Sequence, residues 1–469
     1  MVIALKNLKS TLLLVIFAIG VLPCIAQAQA QAQENVSSDA PYQQYGTPFA
    51  QVPDPQDVAI YQVNIRSFSQ DGNFKGVEAR LDEIDELGVN VIYLMPIYPV
   101  GKLRSAGGDG SPYAVKDYKS VNPEFGTLDD LRSLVEEAHD RGIAVMLDWV
   151  PNHTAWDNPW IKEHKDWYQQ DEKGDIIIPP NTNWQDVAQL NYENPELRAA
   201  MLDALNYWVY NANIDGYRFD AANWVPFDFW KKAVGELRAI DSRQLLLLAE
   251  GDRDDHFKAG FDFVFGFNFF YRLKDQIFEE NKAVTIIDSV NTADYSDTLR
   301  GSQRIVRYIS NHDVNIYEGT PMELFDGKRG AMATFVVAAY MKGVPMIYNG
   351  QEIAYPKRLE FFSSTPIDWT NTDEDILEEY KNLIAFYNSS DAIRRGVLKS
   401  YSSKDVAAFT KQYEGEEVLV ISNLRNKAVT YSVPSTLAGN TWKDVFTDNT
   451  VAVENQITLA PFTYMVLKR

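Results

Sequence analysis

Eight short apolar runs recur between residues 59 and 352, each ending in polar residues and each separated from the next by a stretch of helical character. They are AIYQVNIR (59–66), VNVIYLMP (89–96), IAVMLDWVPNH (143–153), GYRFDA (216–221), QLLLLAE (244–250), FDFVFGFN (261–268), RIVRYISNHD (304–313) and VPMIYNGQE (344–352). Strands apolar on both faces suit a parallel sheet covered by helices, and eight βα units point to a closed barrel rather than an open sheet. The expected fold is α/β, a (β/α)8 TIM barrel over residues 56–393.

Between the runs, Val77, Leu81, Ile84 and Leu87 fall three and four apart and predict one helix. Thr127 with Asp130 predicts a capped start for the helix LDDLRSLVEEAHDRG. The βα pattern lapses over residues 154–194, where Trp, Tyr, Pro and Lys mix without a period, so an insertion is expected on the carboxyl end of the third strand. From residue 394 to 469 the texture turns to short alternating runs such as DVAAFTKQY, EVLVISNL and FTYMVLKR. These predict a small antiparallel C-terminal β domain.

Ahead of the barrel, Lys6 and Lys9 precede an apolar run from Leu12 to Leu22 and the repeat AQAQAQAQ. Residues 1–30 are expected to be a signal peptide cut after Ala28 or Ala30, with 31–55 a polar linker. The protein is then exported, to a periplasm or outside the cell. The apolar run is too short for a retained membrane span. The single cysteine, Cys24, lies in the leader behind Pro23, which does not suit lipid attachment. The mature chain therefore has no disulfide and no thiolate chemistry.

Removing the two leader lysines takes the formal charge from −21 to −23, and no basic cluster is visible. That argues against nucleic acid and anionic membranes as partners and favours a neutral substrate. Nothing in the sequence sets an oligomeric state.

Barrel enzymes place their chemistry at the carboxyl ends of the strands. Here those ends carry Asp148 and His153, Arg218 and Asp220, Glu250, and His312 and Asp313. Arg218 and Asp220 are two residues apart, hence on one side of their strand, where a bidentate guanidinium can keep Asp220 ionised as a nucleophile. Glu250 follows the apolar LLLLA, an approach expected to raise its pKa and suit it as an acid. Two carboxylates divided in this way are what glycoside hydrolysis requires.

DWVPNH (148–153), GYRFDAA (216–222), LLAEGD (247–252) and SNHD (310–313), joined by SPYAVKDY and GVPMIYNGQE, resemble in order the motifs of glycoside hydrolase family 13, the α-amylase family. The resemblance implies a retaining double displacement on α-1,4-glucosidic bonds of starch or maltooligosaccharides. Asp220 is then the nucleophile, Glu250 the general acid/base, and Asp313 the group that distorts the sugar. It further implies that His153 and His312 bind sugar hydroxyls, that Tyr113 stacks on the sugar, and that Asp148 supports the site from behind. A cyclomaltodextrinase or maltogenic hydrolase, an α-glucosidase and a transglycosylase use the same machinery. A non-catalytic glucan-binding relative would lack one of the three acids, and all three are present.

The mechanism requires no cofactor. Structural calcium is the one metal the resemblance raises, because Asn152 matches a family calcium ligand. However, Asn223 and Trp224 stand where many α-amylases carry Lys-His, and QDGNF (70–74) reads as an ordinary turn. Eight of the ten tryptophans (Trp149, Trp156, Trp160, Trp167, Trp184, Trp208, Trp224, Trp230) fall around the insertion and the fourth strand. Most are expected in the core, with one or two serving as sugar platforms.

Overall fold

The computed structural model describes residues 42–241, 243–295 and 301–469. The expected signal peptide and the first part of the linker lie outside the described residues.

Eight strands close a parallel barrel: β1 (Ile60–Val63), β2 (Val91–Leu94), β3 (Ala144–Trp149), β6 (Gly216–Phe219), β7 (Leu246–Ala249), β8 (Phe263–Phe265), β9 (Arg304–Arg307) and β10 (Val344–Tyr348). Closure comes from β1 pairing with both β2 and β10. All but the first residue of β9 are buried, so the runs are apolar throughout rather than alternating. The close approach of β6 to β7 needs Gly216, because a Cβ there would lie 2.1 Å from Leu246 O. That approach sets the register pairing Arg218 with Leu248, two residues ahead of Glu250.

The insertion is built on the antiparallel pair β4 (His153–Ala155) and β5 (Val187–Gln189). The helix Leu128–Asp140 begins with the capping box expected of Thr127 and Asp130. The single helix expected through Val77 and Leu87 is instead two, Phe74–Glu78 and Leu81–Glu86. Gly76 weakens the first of them, and Arg80 leaves helical geometry at φ −121° to lay its guanidinium 4.2 Å from the Trp369 ring. All four apolar side chains remain buried, so the spacing located the inner face and missed the break.

The C-terminal strands form a six-stranded antiparallel sheet and a two-stranded one. The helix Lys328–Tyr340 is buried along its whole length from Gly330 onward because the barrel covers one side and this sheet the other. Ser422 Oγ donates to Ala333 O across that contact.

Candidate active site

Arg218 is fully buried at the end of β6, and its guanidinium serves three strands at once. Nη1 donates to Asp148 Oδ1 on β3 at 2.7 Å and to Asp220 Oδ1 at 3.0 Å. Nη2 makes a 2.5 Å ion-pair contact with Glu250 Oε1, beyond β7. One expectation is corrected by this arrangement. Arg218 is not a bidentate partner dedicated to Asp220, because Asp148 and Glu250 share it. Glu250 follows the buried apolar strand β7 as expected, and its other oxygen accepts from Ala221 N at 2.7 Å.

The electrostatics follow from one cation among several acids. Burial, then the charge of Glu250, push Asp220 well above the usual carboxylate range, and Arg218 only opposes that shift. Burial likewise raises Asp148 to about 6, against the pull of Arg218 and the hydrogen bond from Tyr93. Desolvation and Glu250 raise Asp313 to about 7, although its side chain keeps 47% of its surface open to the cleft and solvent tempers the shift. Interacting carboxylates titrate as a set. Each binds its proton more tightly in the folded enzyme than in the unfolded chain, so the ionised site is reached only at higher pH. The acid limb of kcat/KM is therefore expected between about 6 and about 7, well above the ~3.9 of an ordinary aspartate. A pH profile on maltotriose with its limb near the ordinary value would contradict this.

Behind Asp148 runs a chain of neutral groups. Gln62 Nε2 lies 2.7 Å from His312 Nδ1, His312 Nε2 lies 2.6 Å from the Tyr113 hydroxyl, and Tyr113 donates to Asp148 Oδ2 at 3.0 Å. Tyr93 donates to the same oxygen at 2.7 Å. Burial and Arg218 hold His312 well below its ordinary pKa, so its neutral ring accepts from Gln62 and donates to Tyr113. His312 Nε2 also lies 3.4 Å from Asp313 Oδ2, on the side of the catalytic acids. Gln62 and Tyr93 were not singled out from sequence, although a Gln within the apolar run AIYQV was a visible signal.

The loops beyond β6 and β7 are held at short range. Ala221, directly after Asp220, sits in the left-handed region at φ 45°, a conformation that costs a non-glycine residue roughly 1–3 kcal/mol. Asn223 ties the loops together: it donates to Asp252 Oδ1 at 2.7 Å, and its Oδ1 accepts from Asp252 N and faces His256 Nε2. A Cβ on residue 251 would fall 2.3 Å from Asn223 Oδ1 and 2.6 Å from His256 Nε2, so a side chain at Gly251 would displace this contact. Asn223, which departs from the Lys-His pattern, is thus a fastener between catalytic loops.

A cleft of about 680 Å³ opens over Asp220, Glu250 and Asp313. Trp184 from the insertion and Trp224 from the loop after β6 wall it, 38% and 49% exposed, with ring centroids 5.1 Å apart. His153 meets Trp184 edge-on at 5.5 Å. Trp149, Trp208 and Trp230 are fully buried. The structure thus separates the two cleft tryptophans from the core ones. Tyr317, 62% exposed, and Phe361 add apolar surface that sequence reasoning missed.

Two carboxylates drawn to one guanidinium at the mouth of a barrel, beside aromatic rings that suit the apolar faces of sugars, define the class as a barrel glycosidase. Comparison with known proteins narrows it. The model of the alpha-amylase catalytic domain matches residues 56–187 and 181–433, and that of the alpha-amylase SusG C-terminal domain matches residues 406–466. The chain belongs to the alpha-amylase family, glycoside hydrolase family 13.

Among its relatives, Alpha-amylase 2 of Dictyoglomus thermophilum is 26% identical over 451 residues, covering 88% of this chain and 76% of that one. Neopullulanase 2 of Thermoactinomyces vulgaris is 27% identical over 429 residues, covering 84% and 70%. The crystal structure of an alpha-amylase from Lactobacillus plantarum superposes with a TM-score of 0.80 at 28% identity, covering 89% of this chain and 99% of that one. A maltogenic alpha-amylase from Thermotoga neapolitana gives 0.79 at 26%, with the same coverage.

Proposed function

We propose that this protein hydrolyses α-1,4-glucosidic bonds of starch-type glucans and maltooligosaccharides with retention of configuration. The observation that carries the reading is the placement of Asp220 Oδ1 and Glu250 Oε1 against the two terminal nitrogens of one buried guanidinium. That placement favours the ~5 Å carboxylate spacing of a retaining pair over the wider spacing that admits a water.

In this mechanism Asp220 attacks the anomeric carbon as Glu250 gives its proton to the departing glycosidic oxygen. An ester to Asp220 forms as the C–O bond breaks. Glu250 then takes a proton from water, which attacks the same carbon and releases Asp220. Asp313 and His153 hold sugar hydroxyls from the cleft walls, and Arg218 stands beside whichever carboxyl carries the charge, Asp220 before the ester forms and Glu250 after it. No metal is needed for any of these steps. The composition of residues 1–30 supports export of the enzyme; among the described residues, no helix is long and apolar enough to cross a membrane.

A second reading keeps the chemistry and changes the substrate to small or cyclic maltodextrins. It is favoured by relatives named cyclomaltodextrinase and maltogenic alpha-amylase. The test is the initial product anomer and the product profile on starch, maltotriose, cyclodextrin and pullulan. Release of α-anomers with starch as the better substrate supports the first reading, and faster turnover of cyclodextrin supports the second. Release of β-anomers would sink both. Trp224→Ala is expected to raise KM about tenfold with little change in kcat, the loss of roughly 1.4 kcal/mol of stacking. An unchanged KM on every substrate would show that this ring does not touch sugar.

A further inference from the structure

The insertion joins the barrel where Asn152 matches a calcium ligand of the family, and the residues present do not suit a cation. The oxygen in question, Asn152 Oδ1, accepts from Gln189 Nε2 at 3.1 Å. The same nitrogen lies 3.1 Å from Asn152 O and 3.1 Å from Leu190 O, so three oxygens converge on one amide NH2. Gln189 ends β5 and is paired in register with His153 on β4, which holds the amide at this junction. Both Asn152 and Gln189 are buried.

The orientation is fixed from the far side as well. Asn152 Nδ2 lies 3.2 Å from His153 Nδ1. An amide nitrogen only donates, so His153 Nδ1 is the acceptor of this contact. With its NH2 engaged there, Asn152 presents its oxygen to Gln189, which must answer with a donor. Gln189 Oε1 consequently points away and finds no partner among the described residues. Calcium asks for six to eight oxygens, usually with carboxylates among them. Among the described residues no group of three His, Cys, Asp or Glu is placed to hold a metal ion.

We propose that the Gln189 amide takes the place of a structural cation, fastening the β4–β5 pair to the end of β3, so that this chain holds its insertion without calcium. Asn152 O also accepts from Leu190 N at 3.1 Å, so the two hydrogens of the amide are left for Asn152 Oδ1 and Leu190 O, two oxygens that a cation would otherwise have to satisfy. The neutral amide brings no carboxylate with it, and the junction remains uncharged.

Thermal melting of the full-length protein in EDTA and in millimolar calcium chloride tests the proposal directly. The expected result is one Tm in both. A Tm that rises with calcium and falls in EDTA would overturn the proposal, because the fold would then depend on a cation it is held to do without. Gln189→Glu replaces the donor by an isosteric carboxylate facing three oxygens. It is expected to lower Tm by several degrees in EDTA at neutral pH, and calcium is expected to restore part of the loss.

Lowering the pH should narrow the gap to the parent as well, because a protonated carboxyl regains one donor toward these oxygens, but not close it, because the amide offered two. Gln189→Leu, which removes the donor without adding charge, is expected to lose stability that calcium does not restore. A Gln189→Glu protein as stable in EDTA as the parent would also overturn the proposal. Should neither variant fold, the parent's response to calcium decides alone.

Discussion

Asp220→Asn is expected to lower kcat on maltooligosaccharides by about 10⁴-fold or more, the scale seen when one member of a cooperating catalytic unit is removed. At 1.36 kcal/mol per tenfold, that is roughly 5 kcal/mol of transition-state stabilisation. Glu250→Gln should lose roughly 10²–10⁴-fold on the same substrates. It should lose far less on an aryl glucoside whose leaving group needs no proton. The contrast between leaving groups separates the two roles, and steady-state kinetics on both substrates measures it. Turnover surviving undiminished in the Asn variant would remove Asp220 from the mechanism.

The same substitution carries a stability signature. Asp220 has its pKa raised in the fold by burial and by Glu250. A carboxyl so shifted favours the folded state below its unfolded pKa, and that contribution is lost as pH rises through the folded value. Asp220→Asn is therefore expected to melt higher than the parent at neutral pH and equally at low pH. Catalytic loss with a gain in stability is the mark of a residue held in an unfavourable state for function.

Arg218→Leu is expected to destabilise the protein by about 3–5 kcal/mol at neutral pH, because it leaves Asp148, Asp220 and Glu250 around a site with no cation. Denaturant unfolding at several pH values checks both sign and cause. The deficit should shrink as pH falls and the carboxyls take up protons. Arg218→Lys restores a charge but not the planar pair of terminal nitrogens that reaches three strands, so it should recover only part of the loss. An Arg218→Leu protein as stable as the parent at neutral pH would mean that this guanidinium is not what balances the acids.

Much of the molecule was legible in the chain because the signals are local. A strand buried on both faces must be apolar along its length, and all eight such runs became barrel strands. The acids ending those runs meet because parallel strands deliver their carboxyl ends to one rim. The expected helix through Val77 and Leu87 failed for an equally physical reason. Periodicity reports which side chains face inward, and it is blind to a backbone that breaks at Arg80 for a contact with a ring far along the chain.

By itself the sequence determined the barrel, the insertion after its third strand, the acids at its rim and the family whose motifs they match. Those depend on burial period and on short ordered segments. Only the tertiary structure decided how one arginine is divided among three carboxylates, which two tryptophans face the cleft, that Asn223 fastens two loops, and that Gln189 answers Asn152. Each of these rests on distances of a few ångströms between side chains from different elements. Such distances are set by how the barrel closes and how the insertion and loops fold over its rim, and they appear in no local pattern.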